Sequence, residues 1–197
     1  TLTPAENYNG SISVTVTVSD GLVSDSETFT LSVTPVNDAP TIGLPDSLSF
    51  SEDGSLSMDF SSYISDLDGD ELYLTVSGNE NTIVDIVGFE ITLGATQDWN
   101  GVEILTFTVD DSQGRAIAFD DVMISVFPVN DPPTFEDITD QTGTEDTPLS
   151  LELSASDVDG DGLTYSAVSS SPEDMSVSVS GDQLILTPAL NFNGVVT

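Results

Sequence analysis

The motif Val-Asn-Asp-Xaa-Pro occurs twice in the chain, at residues 36–40 and 129–133, and the two copies lie 93 residues apart. Each copy follows a run in which apolar, mostly β-branched residues alternate with polar ones. Each also ends in proline, which fixes φ and has no N–H to donate, so a β-ladder cannot continue through it. The two copies therefore predict stiff joints between successive modules.

Other segments recur at nearly the same spacing, which indicates tandem repeats. The matching segments are 51–56 with 144–149 at an offset of 93, 66–70 with 157–161 at 91, Asp20 with Asp111 at 91, and 2–10 with 186–194 at 184, with a middle copy at 98–101. The frame of the repeat does not start at residue 1. We predict that residues 1–37 are the last two strands of one repeat, residues 38–131 a complete repeat, and residues 132–197 the first five strands of a third.

The complete repeat has the alternating pattern of an all-β domain, with turns rich in Asp, Gly and Asn. Predicted strands lie near 47–50, 56–60, 72–77, 82–87, 89–93, 102–109 and 116–127. Seven short strands in one repeat are typical of an Ig-like Greek-key sandwich. The aromatic residues Trp99, Phe107 and Phe119 are interpreted as packing residues rather than as a binding platform.

The two incomplete repeats leave two interpretations open. Five strands without their partners have an open edge and a bare apolar face, and residues 1–37 carry strands of the missing type. The chain is an excerpt from a longer array, or the head of one copy completes the tail of another by strand exchange, which would build a fibre.

Charge limits the partners of this chain. It carries 35 acidic residues and one basic residue, Arg115, for a net charge of −34. Nucleic acids and anionic membranes would repel it, and no apolar run is long enough to insert into a membrane. Cations must offset the repulsion between carboxylates, so the acidity indicates a solvated acidic surface or specific metal sites. The chain has no Cys and no His, so it lacks disulfides, the usual general base and the usual zinc ligand.

The acidic loops do not have the spacing of an EF-hand. An EF-hand loop needs Gly at position 6 and Glu at position 12. Counted from Asp66 these positions are Glu71 and Ser77, and counted from Asp157 position 12 is Val168. The segments after the loops, 72–74 and 163–165, are predicted strands rather than helices.

Four features together resemble the cadherin repeat, and more closely the cadherin-like tandem repeats of bacterial extracellular adhesins. They are the Val-Asn-Asp-Xaa-Pro joints, a Glu about twelve residues later, an Asp-Xaa-Asp loop, and a strand that ends in Val-Xaa-Val-Xaa-Asp-Gly. The resemblance covers the whole chain. It implies cadherin-like sandwiches with Ca²⁺ at each joint, held by the end of one module, the joint and the loops of the next.

Carried over by position, the resemblance implies two ligand sets. The first joint would use Asn37, Asp38, Asp66, Asp68 and Asp111, and the second would use Glu52, Asn130, Asp131, Asp157 and Asp159. Asp70 and Asp161 are third carboxylates of their loops or turn formers, and Asp20 and Glu145 match ligands of joints beyond the two ends. Animal cadherins have one more residue in the joint motif. They also have a Leu-Asp-Arg-Glu motif that supplies a pair of ligands and is missing here, so fewer ions are expected per joint.

The chemistry of the ligands agrees with calcium independently. Oxygen ligands without His or Cys favour calcium or magnesium over zinc or copper, and carboxylates on loops suit the larger calcium shell. The alternative for each loop is an Asx-turn, in which Asp binds its own backbone. The repetition in register favours calcium.

We therefore predict a non-enzymatic, calcium-stiffened spacer of a bacterial surface or secreted adhesin, located outside the cell, whose partners are the neighbouring repeats. The alternatives are a fibre subunit that exchanges strands between copies and a carbohydrate-binding module. The second alternative would need an exposed aromatic platform, for which Trp99, Tyr73 and Tyr165 are the candidates.

Overall fold

A computed structural model of the protein describes residues 1–114 and 117–197. The described chain is nearly all β, and it divides into two compact units, Thr1–Pro128 and Val129–Thr197. This confirms the predicted fold class, while the division into three repeats stays a prediction.

The first unit contains one short 3-10 helix and eleven strands among the described residues. Its strands are β1 (Gly10–Ser19), β2 (Ser24–Val33), β3 (Thr41–Ile42), β4 (Ser47–Ser51), β5 (Leu56–Asp59), β6 (Ile64–Ser65), β7 (Tyr73–Ser77), β8 (Thr82–Val87), β9 (Glu90–Ala95), β10 (Gly101–Asp110) and β11 (Ile117–Phe127), and the helix is Ser61–Tyr63. The second unit contains β12 (Thr134–Phe135), β13 (Leu149–Glu152), β14 (Ala155–Ser156), β15 (Met175–Ser180) and β16 (Gln183–Pro188).

Strands β1 and β2 form an antiparallel hairpin with two chemically different faces. One face is a row of Ser and Thr, in which the Thr15 and Thr28 hydroxyls lie 2.9 Å apart. The other face is mostly apolar and pairs Val14 with Phe29. Strand β2 ends at Val33, two residues before Pro35, which has no N–H to donate to a ladder.

Strands β4, β5 and β7 to β11 form a sandwich of two main sheets. One sheet has the order β4-β11-β10-β7, in which β4 is parallel to β11 and the other pairs are antiparallel, and the second has the order β5-β9-β8. The core between them is apolar, and the rings of Phe60 and Phe107 meet edge to face with centroids 5.1 Å apart. Trp99 is partly buried against this core and Phe107 is fully buried, as their interpretation as packing residues requires. The same interpretation of Phe119 is wrong, because its side chain on the outer face of β11 is 67% exposed.

The predicted strands of this repeat form with small shifts at their ends. The fifth runs to Ala95 instead of residue 93, and the third begins at Tyr73. The predicted start of the last strand, Ala116, lies outside the described residues. The short pair β3–β6 was not predicted, because two-residue strands are too short for a periodic signal.

The second unit contains a three-stranded sheet, β13-β16-β15, and the short pair β12–β14. The prediction of a strand at 163–165 is wrong, and the counterpart of β4 at 140–144 is also not a strand. In the complete sandwich, β4 and β7 pair with the β10–β11 hairpin. In the second unit, no described strand pairs with 140–144 or with 163–165.

Candidate metal centre

The first acidic loop, residues 66–70, connects β6 to β7 and is folded by its own first side chain. Asp66 Oδ1 accepts hydrogen bonds from the backbone N–H groups of Asp68 at 2.8 Å, Gly69 at 2.9 Å and Asp70 at 3.2 Å. Gly69 has φ +77°, a conformation that favours glycine. The Asx-turn that sequence analysis offers as the alternative to a metal loop is therefore present here.

This turn brings three carboxylates together. Asp66, Asp68 and Asp70 each offer an oxygen, and these oxygens all lie within 4.8 Å of one another. The second oxygen of Asp66, Oδ2, is buried and has no hydrogen-bond partner among the described residues. A buried carboxylate oxygen without a donor is costly in the absence of a cation, so the Asx-turn accounts for one oxygen of Asp66 and not for the other.

The charge of the cluster also acts on Asp70. Burial raises the pKa of its carboxyl, and the neighbouring carboxylates of Asp66, Asp68 and Asp111 raise this pKa further. Like charges at this separation disfavour the ionised form. A bound cation would reverse this effect.

Asp111 lies directly after β10 and is buried, with 1% of its surface exposed. Its Oδ2 accepts a hydrogen bond from Asn37 Nδ2 at 2.8 Å, and its Oδ1 accepts one from the backbone N–H of Gln113 at 2.9 Å. These hydrogen bonds hold the pKa of Asp111 below its ordinary value, although burial acts in the opposite direction. Gln113 was not predicted from the sequence, and its only signal is its position two residues after an Asp in a turn.

The joint residues contact the acidic loop through backbone and side chain. The Asp38 N–H donates to Asp68 Oδ2 at 2.7 Å, and Asn37 Nδ2 also donates to the Asp38 carbonyl oxygen at 3.1 Å. The predicted residues of the first joint, together with Asp70, are therefore connected by hydrogen bonds or by close carboxylate spacing.

The same arrangement recurs in the second unit. The Asp131 N–H donates to Asp159 Oδ2 at 2.7 Å, and Asn130 Nδ2 donates to the Asp131 carbonyl oxygen at 3.0 Å. Asp157 Oδ1 accepts from the N–H groups of Asp159 at 3.0 Å and Asp161 at 3.2 Å. The close grouping of three carboxylates seen in residues 66–70 is not found in 157–161 or elsewhere in the described chain.

Three further predicted ligands, Glu52, Asp20 and Glu145, are described within their own units. Glu52 is buried in the first unit, and its Oε2 lies 3.4 Å from the donor Nδ2 of Asn100. Asp20 Oδ1 accepts the N–H groups of Leu22 and Val23, both at 2.9 Å, and these bonds lower the pKa of Asp20. Glu145 is exposed in the second unit. Asp20 thus serves as a turn former in this structure.

Across residues 1–114 and 117–197, no helix has the length and apolar character that a membrane span needs. No curated protein sequence matches the chain.

Several solved structures are similar to the chain at low identity. Mouse protocadherin-24 EC1-3 is 20% identical, with a TM-score of 0.48, over 91% of this chain and 66% of that one. Drosophila N-cadherin EC1-4 is 17% identical, with a TM-score of 0.48, over 92% and 50%. The endo-fucoidan hydrolase MfFcnA4 is 17% identical, with a TM-score of 0.42, over 95% of this chain. The chain spans less than a third of the length of the three endo-fucoidan hydrolase structures, 31%, 30% and 23%.

A family model provides the decisive comparison. The model described as "Bacterial Ig domain" matches residues 37–124 and again residues 130–197. The two matches begin at equivalent positions in the two Asn-Asp joints, Asn37 and Asn130, and together they cover most of the chain. The chain therefore belongs to the bacterial Ig domain family and contains it as tandem repeats.

Proposed function

We propose that this chain is a calcium-binding spacer, in which Ca²⁺ at the joints stiffens a tandem array of Ig-like repeats in a bacterial surface or secreted adhesin. The observation that carries the proposal is the grouping of Asp66, Asp68 and Asp70 around a turn, with the Oδ2 atom of Asp66 buried and without a hydrogen-bond partner. The motif resemblance to cadherin-like adhesin repeats supports the same function.

The residues present fit a hard cation. The first site would use the carboxylates of Asp66, Asp68 and Asp70, with Asn37, Asp38 and Asp111 beside them. The second would use Asp157, Asp159 and Asp161 beside Asn130 and Asp131, with Glu52 as the ligand that the family resemblance adds. All of these offer oxygen atoms, which favours calcium or magnesium. The carboxylates of the first loop already gather in the folded chain, so binding there needs little rearrangement.

The action of the ion follows from charge. Without a cation, the carboxylates at a joint repel each other. Burial is the larger cause of the raised pKa of Asp70, and the carboxylates of Asp66, Asp68 and Asp111 add to it. A divalent cation would replace repulsion with shared ligation between the joint and the loop. Because the ion would bind the folded form, it would also stabilise the repeat by mass action. Extracellular calcium would then keep the array extended.

The spacer function accounts for the sequence better than catalysis does. The Asp-rich loop and the Asn-Asp joint repeat with the same hydrogen bonds in both units, and a repeated site suits a scaffold better than a single active centre. His and Cys are absent from the chain, which removes the most common catalytic bases and nucleophiles.

The test is thermal unfolding of the chain in EGTA and in calcium at increasing concentration. We expect the melting temperature to rise with calcium, with a stabilisation of about 2.7 kcal/mol per site at a free concentration 100 times Kd. Sodium chloride of equal ionic strength and magnesium serve as controls, because a merely solvated acidic surface would respond to any cation. Equal melting curves in calcium and in the sodium control would rule out the calcium sites.

A further inference from the structure

The β4-β11-β10-β7 sheet carries large apolar side chains on the face that points away from the core. Alternate residues of a strand point to opposite faces of a sheet, and Leu105 and Val122 point inward and are fully buried. The outward side chains include six large apolar ones that are each at least 44% exposed: Tyr73, Val102, Ile104, Ile117, Phe119 and Met123. We call these six residues the outer patch. Apolar patches of a few hundred Å² mark interaction sites on soluble proteins.

On β11, a carboxylate lies between two apolar side chains of the outer patch. The outward residues run Phe119, Asp121 and Met123, and Asp121 is exposed. The hydroxyl of Thr106, which lies opposite on β10, donates to Asp121 Oδ1 at 2.6 Å. Ile104 lies opposite Met123 and widens that end of the patch. A step of two residues along a strand covers about 6.6 to 6.8 Å, so Phe119 and Met123 lie about 13 Å apart.

A second carboxylate lies between apolar side chains at the other end of the outer patch. Asp110 on β10 lies opposite Tyr73 on one side and Ile117 on the other. Its Oδ1 accepts a hydrogen bond from the backbone N–H of Ser112 at 2.8 Å. A molecule that covers the apolar side chains would therefore also remove water from Asp110 and Asp121. A carboxylate that loses its water needs a cationic partner to offset the cost.

The fold does not require apolar residues at these positions. The β1–β2 hairpin has the same register as β10–β11, with offsets of 91 residues on the first strand and 93 on the second. Its outward residues are all Ser or Thr. Val102, Ile104, Ile117, Phe119 and Met123 correspond in this order to Ser11, Ser13, Ser24, Ser26 and Thr30. Because hydroxyl side chains support the same strand pairing, the apolar side chains of the outer patch are available for another purpose.

We propose that the outer patch binds a cationic segment of a partner protein, with a Lys or Arg at Asp121 and apolar side chains against Phe119 and Met123. Alternate residues of an extended segment have the same spacing as those of β11, so the matching pattern is apolar-Xaa-basic-Xaa-apolar. Arg suits the central position, because its guanidinium group binds a carboxylate through two N–H groups and stacks on an aromatic ring such as that of Phe119.

Charge favours this partner over other occupants of the outer patch. A second copy of the chain also has a net charge of −34 and would bring its own Asp110 and Asp121 to the contact, so the two copies would repel each other. A neutral glycan would cover the two carboxylates without supplying a cation. A cationic segment offsets both charges, and the acidic chain also attracts it from a distance.

The first experiment is an NMR titration of the isotope-labelled chain in EGTA with a blocked synthetic peptide, Ser-Leu-Ser-Arg-Ser-Leu-Ser. We expect saturable shifts of backbone amides in β10 and β11, centred on residues 104, 119 and 123. The affinity should fall as the salt concentration rises from about 0.05 M to about 0.5 M, because salt screens the ion pair. Peptides with Glu in place of Arg, or with Ser in place of both Leu residues, should not produce these shifts. Equal shifts with the Glu peptide would overturn the proposal.

The second experiment repeats the titration with Ile104→Ser and Met123→Thr combined. These are the residues that the first hairpin has at the corresponding positions, so the variant should fold, and the affinity should fall by about tenfold as apolar contact is lost. The control is Ile83→Ser with Val87→Thr. These two exposed residues flank Asp85 on β8 in the same alternation, but the opposing strand β9 presents Gly94 and Glu90 there. The control should bind the peptide like the unmodified chain, and an equal loss of affinity in both variants would overturn the assignment to the outer patch.

Asp121→Asn tests the ion pair separately. It keeps the size of the side chain and removes its charge, so the affinity for the Arg peptide should fall and should depend less on salt. Light scattering of the unmodified chain tests the competing occupant. A dimer that forms with increasing concentration and is abolished by Ile104→Ser with Met123→Thr would assign the outer patch to a second copy and overturn the proposal.

Discussion

Asn37 donates from its Nδ2 to Asp111 Oδ2 at 2.8 Å, and this hydrogen bond joins residues that lie 74 positions apart. An ionised carboxylate only accepts hydrogen bonds, so the amide must present its nitrogen to Asp111 and its oxygen elsewhere. The bond ties the joint to the end of β10 without a metal ion. The first joint is therefore partly organised before any cation binds.

Replacing Asn37 should expose this dependence. Asn37→Ala removes a donor from buried Asp111, so the free energy of unfolding in EGTA should fall. Urea denaturation followed by the fluorescence of Trp99, the single tryptophan, measures this change. Adding Asp111→Asn should recover part of the loss, because the pair is coupled. Asn130→Ala is the control. It removes the hydrogen bond from Asn130 Nδ2 to the Asp131 carbonyl oxygen in the second unit, so it should not shift the unfolding transition that Trp99 reports. If the changes in unfolding free energy of Asn37→Ala and Asp111→Asn simply add in the double mutant, the coupling between the two residues is contradicted.

The first acidic loop should be the main calcium site. Asp66→Asn with Asp68→Asn keeps the size of both side chains and removes two charges, so calcium affinity should fall by about tenfold or more, since affinity depends on the charge of the ligands. Isothermal titration calorimetry measures this affinity. The control is Asp85→Asn with Glu90→Gln, two exposed positions on β8 and β9 with the same change in net charge. An equal loss in both variants would assign the effect to overall charge.

The second loop should bind calcium more weakly than the first. It lacks the close carboxylate grouping of the first loop, whose three carboxylate oxygens lie within 4.8 Å of one another. Asp157→Asn with Asp159→Asn should therefore remove the weaker of two binding steps in calorimetry and preserve the tighter one. Loss of the tighter step in this variant would reverse the ranking of the two loops.

Acid should weaken the fold through Glu103. Burial raises the pKa of this carboxyl, but hydrogen bonds from Thr82 and Asn81 together outweigh burial and lower it. The Asn81 N–H donates to Oε1 at 2.6 Å, and the Thr82 N–H donates to Oε2 at 2.9 Å. A carboxyl with a lowered folded pKa stabilises the protein above its unfolded pKa, about 4.3, and this stabilisation is lost as the pH falls through the folded value.

Glu103→Gln should therefore destabilise the protein at pH 7, and the difference from the unmodified chain should shrink below about pH 4. Urea denaturation across this pH range measures the difference, with the exposed Glu90→Gln as control. If the stability difference between Glu103→Gln and the unmodified chain does not change with pH, the charge of Glu103 does not contribute to the stability.

Calcium should also change the dimensions of the chain. Small-angle scattering of the chain should show a longer and stiffer particle in calcium than in EGTA. The change should be smaller when Asp66→Asn and Asp68→Asn are added, because the first joint then loses its ion. Identical profiles in calcium and EGTA would contradict the stiffening mechanism.

The sequence alone determined the repeat and the class of fold. The period of the Asn-Asp joints, the alternation of apolar residues and the Asp-rich turns are local signals, and they were enough to predict tandem Ig-like sandwiches and most strands of residues 38–131. The resemblance to cadherin-like repeats implied Asp66, Asp68 and Asp111 as candidate ligands, and the repetition of acidic residues in register, which can be read without coordinates, supported that assignment.

Only the tertiary structure decided what each of these side chains contacts. Whether Asn37 meets Asp111, and whether Asp38 meets Asp68, depends on the register of strands that are distant in sequence. The structure also revealed that 163–165 is not a strand although its pattern matches 72–74. A strand needs a partner as well as a pattern, and the partner of β7 in the complete sandwich is β10. Alternation is a property of one segment, whereas pairing, burial and ligand geometry are properties of two segments that the fold brings together.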